Sequence, residues 1–67
     1  METSARNQLR GTVKAVSIGA VMAEVVVDVN GIDVVAAITK DSAERPLASG
    51  MSAVAIIKAT DVMIGVD

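Results

Sequence analysis

Residues 25–35 read VVVDVNGIDVV, two apolar runs joined by an Asn-Gly pair. Asn30 and Gly31 tolerate the positive φ angles of a two-residue type I′ turn, so this stretch predicts a β-hairpin. Such a turn sets Val29 opposite Ile32, and the alternation of side chains then fixes the rest of the register. The further pairs are Val27 with Val34, Val25 with Ala36, and Ala23 with Ile38. Turn chemistry and hydrophobic pattern agree, because this register makes one face of the hairpin entirely apolar.

The opposite face of the hairpin is mixed instead of polar. Met22, Val26, Val35 and Ala37 lie there among charged and polar residues. Because the outer face of a monomer is normally polar, these side chains predict a second layer contributed by another subunit. The alternative interpretation is that they are scattered exposed apolar residues.

Further strands are predicted on both sides of the hairpin. Residues 9–15 alternate apolar and polar side chains, and Gly11 among them indicates a bulge or bend. Residues 16–20 are then expected to turn the chain into the hairpin. Residues 51–58 and 62–66 are two short apolar runs, and each predicts a strand.

A short helical turn is predicted between the hairpin and the later strands. Asp41 or Ser42 could cap it, and it should end before Pro46. The sequence therefore predicts an all-β fold, a small five-stranded OB-like barrel with one short helical turn. Residues 1–67 are expected to form a single domain.

The composition predicts a homo-oligomer. A chain of 67 residues buries only about 60% of the surface that it exposes when unfolded, so its own core is marginal. It contains no Cys and no His, which excludes disulfides and argues against a structural metal. Association between subunits remains as the source of stability, and the hydrophobic fraction of 52% is consistent with it.

Several classes of partner and activity are disfavoured. No apolar run approaches the roughly 18 to 20 residues that span a bilayer, and residues 1–4 lack signal-peptide features, so we expect a cytoplasmic protein with no membrane partner. A net charge of -2 and the lack of aromatic residues argue against nucleic acid as a partner. Without His or Cys the common catalytic groups are missing, so no enzyme is expected.

Two segments concentrate groups that could bind an anion. Residues 3–8 (TSARNQ) and 58–61 (KATD) each combine hydroxyl and cationic donors with backbone N–H groups outside regular strands. A doubly charged oxyanion requires such a donor set. In the alternative interpretation, Ser4 and Asn7 make turn hydrogen bonds, while Arg6 and Lys58 are ordinary surface cations.

A third group of donors lies where the helical turn begins. Thr39, Asp41 and Ser42 occupy this position, and a helix start attracts anions through its free N–H groups. The carboxylate of Asp41 would repel an anion. Asp41 is therefore interpreted as a cap of its own helix.

Three segments together resemble one known family. They are SARNQLRGTV (residues 4–13), VAAIT (35–39) and KATDVMI (58–64), and they are similar to the molbindin or Mop-type molybdate-binding domain. The resemblance covers nearly the whole chain. It implies a five-stranded OB-like barrel assembled as a hexamer, a trimer of dimers, with oxyanions bound between subunits and the first strand exchanged between them.

The resemblance also implies a ligand and a set of site residues. The ligand is molybdate or tungstate, bound for intracellular molybdenum storage or homeostasis. The residues that match the family site are Ser4, Ala5, Arg6, Lys58 and Ala59, the last acting through its backbone N–H, with Thr39 and Ser42 as additional contacts. The alternative function is a structural or regulatory oligomeric interaction module in which the anion only stabilises assembly.

Overall fold

A computed structural model of the chain describes residues 3–44 and 47–67. These residues form an antiparallel sheet of four strands in the order β3-β2-β1-β4, together with a short helix and a 3₁₀ turn. The elements are β1 (Asn7–Ile18), β2 (Met22–Val29), β3 (Ile32–Thr39), α1 (Lys40–Glu44), β4 (Ser52–Ile57) and the 3₁₀ turn (Ala59–Asp61). The all-β class is confirmed.

The β2–β3 hairpin has the predicted register. Val29 pairs with Ile32, and the ladder continues through all the predicted pairs to Ala23 with Ile38. Asn30 and Gly31 have φ angles of 51° and 88°, as a type I′ turn requires. The Gly31 N–H also donates to Oδ1 of Asp28 at 2.9 Å, which fixes the turn further.

Strand β1 is longer than the sequence indicated. Residues 16–18, predicted to turn the chain, continue the strand because Val16 and Ile18 pair with residues of β2. The strand also changes partner along its length: residues 7–12 pair with β4, and residues 12–18 pair with β2. It is therefore paired within its own chain from one end to the other, apart from a single bulge.

The bulge in β1 lies at Lys14 and not at Gly11, because the register with β2 shifts between Val13 and Ala15. Gly11 has a different role. A Cβ at Gly11 would collide with the carbonyl oxygen of Asp28, so the close approach of β1 to β2 requires a glycine here.

The fifth predicted strand, residues 62–66, is not a strand in this structure. Val62 has extended backbone angles, φ -94° and ψ 127°, but none of these residues joins a ladder among the described residues. Met63, Ile64 and Val66 are 92%, 85% and 92% exposed. A strand needs a neighbour to pair with, and this segment lies against neither of the edge strands β3 and β4 in the described part of the chain. The five-stranded barrel is thus not confirmed.

Helix α1 begins one residue earlier than Asp41 and is capped by Thr39, not by Asp41 or Ser42. The Ser42 N–H donates to Oγ1 of Thr39 at 3.2 Å. Ala43 is fully buried and fixes the helix against the sheet. Pro46, predicted to end the turn, lies outside the described residues. No helix within residues 3–44 and 47–67 has the length and apolar character needed to cross a membrane.

The hydrophobic core is small and lies on the inner faces of β1 and β2. Val13, Val25 and Val27 are 1%, 3% and 5% exposed, and they form its centre. The residues that face inward from β3 and β4 are only half-buried. The core is therefore well buried at the central strands β1 and β2 and open towards the edge strands β3 and β4.

Candidate oxyanion site

The ladder between β1 and β4 joins two donor segments that are far apart in sequence. Its last pair is Asn7 with Ile57. Because the strands are antiparallel, Arg6 precedes the first member of this pair, and Lys58 follows the second. Both cations therefore lie at the same end of the sheet, as their assignment to one site requires.

Local hydrogen bonds fix the backbone at this end of the sheet. The side-chain amide of Asn7 donates to the carbonyl oxygen of Ile57 at 3.1 Å, so it ties β1 to β4 beside the site. Gln8 Nε2 donates to the Ala5 carbonyl at 3.3 Å, and the Ala5 N–H donates to Oγ1 of Thr3 at 3.2 Å. Ala5 is buried and serves as an anchor for the segment.

Sequence reasoning did not predict this role of Asn7, which it associated with a turn bond. The role of Asn7 follows from its place in the first pair of β1 with β4, and the sequence alone does not show which strand pairs with β1. By binding the Ile57 carbonyl oxygen, Asn7 fixes the backbone immediately before Lys58.

The cationic side chains are exposed and available to an anion. Both cations, Arg6 and Lys58, are exposed, and so is the hydroxyl-bearing Ser4. The salt bridges among the described residues join Lys14 to Asp33 and Lys40 to Glu44, so within this part of the chain neither Arg6 nor Lys58 is paired with a carboxylate.

The 3₁₀ turn after β4 supplies backbone donors. Its hydrogen bonds begin with the Asp61 N–H to the Lys58 carbonyl at 2.9 Å and the Val62 N–H to the Ala59 carbonyl at 3.3 Å. The N–H groups of Ala59 and Thr60 therefore have no backbone acceptor in the described part of the chain. Cations, a hydroxyl and free N–H groups together form a donor set suited to a divalent oxyanion. The same turn carries the carboxylate of Asp61, whose negative charge opposes an anion.

Thr39 and Ser42 do not join this cluster within one chain. Thr39 pairs with Met22 at the start of β2, and the neighbouring Ala23 pairs with Ile18. The two hydroxyls therefore lie near the last residue of β1, whereas Arg6 and Lys58 lie near its first. Thr39 Oγ1 donates to Ser42 Oγ at 2.8 Å, so both hydroxyls take part in the cap of α1.

The sequence as a whole matches a known domain family. The family model described as the TOBE domain matches residues 3–64. The chain belongs to the TOBE-domain family.

Individual relatives place this TOBE domain among the Mop-type, or molbindin, proteins. It is 50% identical to molybdenum-pterin-binding protein 3 of Clostridium pasteurianum, a match that covers 96% of this chain and 97% of that protein. It is 45% identical to a probable molybdenum-pterin-binding protein of Haemophilus influenzae, with both chains fully covered. Among solved structures, a molybdate binding protein from Sporomusa ovata superposes with a TM-score of 0.89 at 43% identity, over 96% of this chain and 97% of that one. The resemblance noted from the three sequence segments is confirmed.

Proposed function

We propose that this TOBE domain binds molybdate or tungstate at a site built on Arg6 and Lys58. The observation that carries the proposal is the end of the β1–β4 ladder at Asn7 and Ile57, because the two cations flank this pair at the same end of the sheet. The relatives are named as molybdenum-pterin-binding or molybdate binding proteins, and these names support the choice of ligand.

In the proposed site, some residues neutralise the charge of the anion and others fix its orientation. The guanidinium of Arg6 presents a planar fork of donors, and the ammonium of Lys58 is a compact charge, so together they offset the double negative charge of the anion. The Ser4 hydroxyl and the Ala59 N–H fix its orientation. A cavity sized for molybdate would select against the smaller sulfate ion.

The site is proposed to be completed between subunits. Ser4, Arg6 and Lys58 are exposed in the single chain, and an anion held by them alone would remain largely in water. Thr39 and Ser42 are at the far end of β1, so they can reach this cluster only from another copy of the chain. The assembly that we propose is a homo-oligomer, a hexamer arranged as a trimer of dimers.

The biological role that fits this site is reversible storage or buffering of molybdenum in the cytoplasm. Reversible binding needs donors and a partly closed cavity but no catalytic group. The oxyanion is the cargo, and several copies of the site in one oligomer would hold several ions. No enzymatic step is part of the proposal.

The experiment that tests the site is calorimetric titration of molybdate into Arg6→Ala and Lys58→Ala variants. Each change should cost about 1.5 to 3 kcal/mol of binding free energy, because each removes a charge-assisted bond to a desolvated anion. Arg10→Ala is the matched control, since Arg10 is an exposed cation on the same strand that pairs with Val54, away from the end of the ladder. Unchanged affinity in both site variants would mean that the anion binds elsewhere.

The same titration with sulfate tests the selectivity. Sulfate should bind much more weakly than molybdate to the unmodified protein. Equal affinity would contradict the account of cavity size, although it would leave the cationic site itself in place.

One observation favours a second function, that of a structural or regulatory interaction module in which the anion only stabilises assembly. The outer face of the hairpin is mixed but carries accessible apolar side chains, with Val35 59% and Met22 47% exposed. Stoichiometry separates the two functions. Storage requires several molybdates per oligomer at micromolar or tighter affinity, whereas a purified oligomer that binds no molybdate would favour the module.

A further inference from the structure

One carboxylate lies on the same turn as a cation of the proposed site. Asp61 is the last residue of the 3₁₀ turn that follows Lys58, and its N–H donates to the Lys58 carbonyl oxygen at 2.9 Å. A turn closed in this way between residues three apart brings their Cα atoms to within about 7 Å of each other. The backbone therefore holds the negative charge of Asp61 close to the positive charge of Lys58.

The carboxylate of Asp61 is available to act on an anion. Asp61 is exposed, and the salt bridges within residues 3–44 and 47–67 involve two other carboxylates, those of Asp33 and Glu44. The turn follows the Ile57 carbonyl that Asn7 binds at 3.1 Å, so its backbone is anchored to β1. The short side chain of an aspartate cannot carry its charge far from a backbone that is fixed in this way.

The charges at this end of the sheet do not match those of a divalent oxyanion. Arg6 and Lys58 contribute two positive charges and Asp61 one negative charge, so the three residues together carry a net charge of +1. The carboxylate opposes every anion that the two cations attract, and it does so in proportion to the charge of that anion. An asparagine would fill almost the same volume without this repulsion.

We infer that Asp61 lowers the affinity of the oxyanion site for doubly charged anions and so keeps binding reversible. The inference rests on the proposed site at Arg6 and Lys58, and it assigns a role to a residue that is not one of the donors. A site composed only of cations and neutral donors would hold a dianion more tightly and release it more slowly. A protein that buffers an ion must release it as well as capture it.

The first test is calorimetric titration of molybdate into Asp61→Asn. The change removes a charge and keeps the size of the side chain, so the affinity should rise about 10-fold, as expected for a unit charge and a dianion several ångströms apart in a largely aqueous setting. Asp61→Glu retains the charge and should bind molybdate like the unmodified protein.

Asp28→Asn is the matched control, because it makes the same chemical change away from the site. Asp28 pairs with Thr12, five residues along β1 from Asn7. Five residues of strand span roughly 16 Å, which exceeds the screening length of about 10 Å at 0.1 M salt. An asparagine can still accept the hydrogen bond that the Gly31 N–H donates to Asp28. Its affinity for molybdate should therefore equal that of the unmodified protein.

The second test repeats these titrations with perrhenate, a tetrahedral oxyanion that carries a single negative charge. Halving the charge of the anion halves its Coulomb energy with the carboxylate, so Asp61→Asn should raise the affinity for perrhenate only about 3-fold. A change in the shape of the turn would instead alter the binding of both anions equally. An equal gain for the two anions would therefore overturn the role of charge.

The inference is also wrong if Asp61→Asn binds molybdate no more tightly than the unmodified protein. Titration of Arg6→Ala and Lys58→Ala in the same series separates this result from failure of the proposed function. If these two variants bind more weakly while Asp61→Asn is unchanged, the site stands and only the role of Asp61 is wrong. If neither of them binds more weakly, the anion does not occupy this site and both proposals fail.

Discussion

Two glycines are required for different physical reasons. At Gly31 the backbone has φ +88° and a Cβ would meet nothing within 4 Å, whereas at Gly11 a Cβ would strike the Asp28 carbonyl oxygen. Gly31→Ala should therefore lower the free energy of unfolding by only about 1 kcal/mol, the cost of a left-handed conformation. Gly11→Ala should cost more, about 1 to 3 kcal/mol, because β1 and β2 must separate.

Denaturant titration at a fixed protein concentration checks this order. The two variants should differ while the slope of the transition stays the same. A Gly11→Ala protein as stable as Gly31→Ala would show that the close approach of β1 to β2 relaxes without cost.

The residues of the proposed site could be selected from the sequence by chemical type but not by arrangement. Arg6 and Lys58 could be selected as cations beside hydroxyl and backbone donors, and the family resemblance assigned them to one site. That they lie at the same end of the sheet depends on the pairing of Asn7 with Ile57, a contact between residues 50 positions apart. Neither composition nor local pattern specifies such a pairing, which is why the cross-strand bond of Asn7 was missed.

Among the secondary-structure elements, those determined by local sequence were predicted more accurately than those that depend on contacts with distant residues. The β2–β3 hairpin was predicted with its register because the turn chemistry of Asn30 and Gly31 and the alternation of its strands lie within one short stretch. The bulge of β1 was misplaced because it depends on the fit to two partner strands. Residues 62–66 have strand composition but no strand structure in the single chain, because a strand also needs a neighbour.

The cap of α1 offers a prediction at the same scale. Thr39→Ala should lower the free energy of unfolding by about 1 kcal/mol, because the Ser42 N–H loses its acceptor. Thr39→Ser should retain most of the stability, since the hydroxyl remains. Asp41→Ala is the control and should change stability by no more than about 0.5 kcal/mol, as Asp41 is exposed and does not cap the helix. Thermal unfolding of the three variants measures this, and a larger loss for Asp41→Ala would restore Asp41 as the cap.

For the whole molecule, the small core leads us to expect that stability depends on association. The largest fully buried side chain is Val13, and the inward faces of the edge strands remain half-open. The unfolding temperature should therefore rise with protein concentration, as for any protein whose folded state is an assembly. Thermal scans from nanomolar to micromolar protein test this, and a folded monomer at nanomolar concentration with a constant unfolding temperature would contradict it.

The proposed completion of the site between subunits leads to a prediction about mixtures. Arg6→Ala and Thr39→Ala each remove one contributor to the site, and these contributors lie at opposite ends of β1. If a site combines Arg6 of one chain with Thr39 of another, an interface between the two variants contains one doubly altered site and one intact site. Random assembly of equal amounts then restores about a quarter of the sites to full affinity.

The mixture should be made by unfolding and refolding the two variants together, and its strong sites counted by molybdate titration. Either variant refolded alone should contain none of them, which is the control for recovery caused by refolding itself. If the mixture binds no better than the average of its parts, then Arg6 and Thr39 do not act across a subunit interface. The oxyanion would in that case be held by the Arg6 and Lys58 end of a single chain, and binding would not be coupled to assembly.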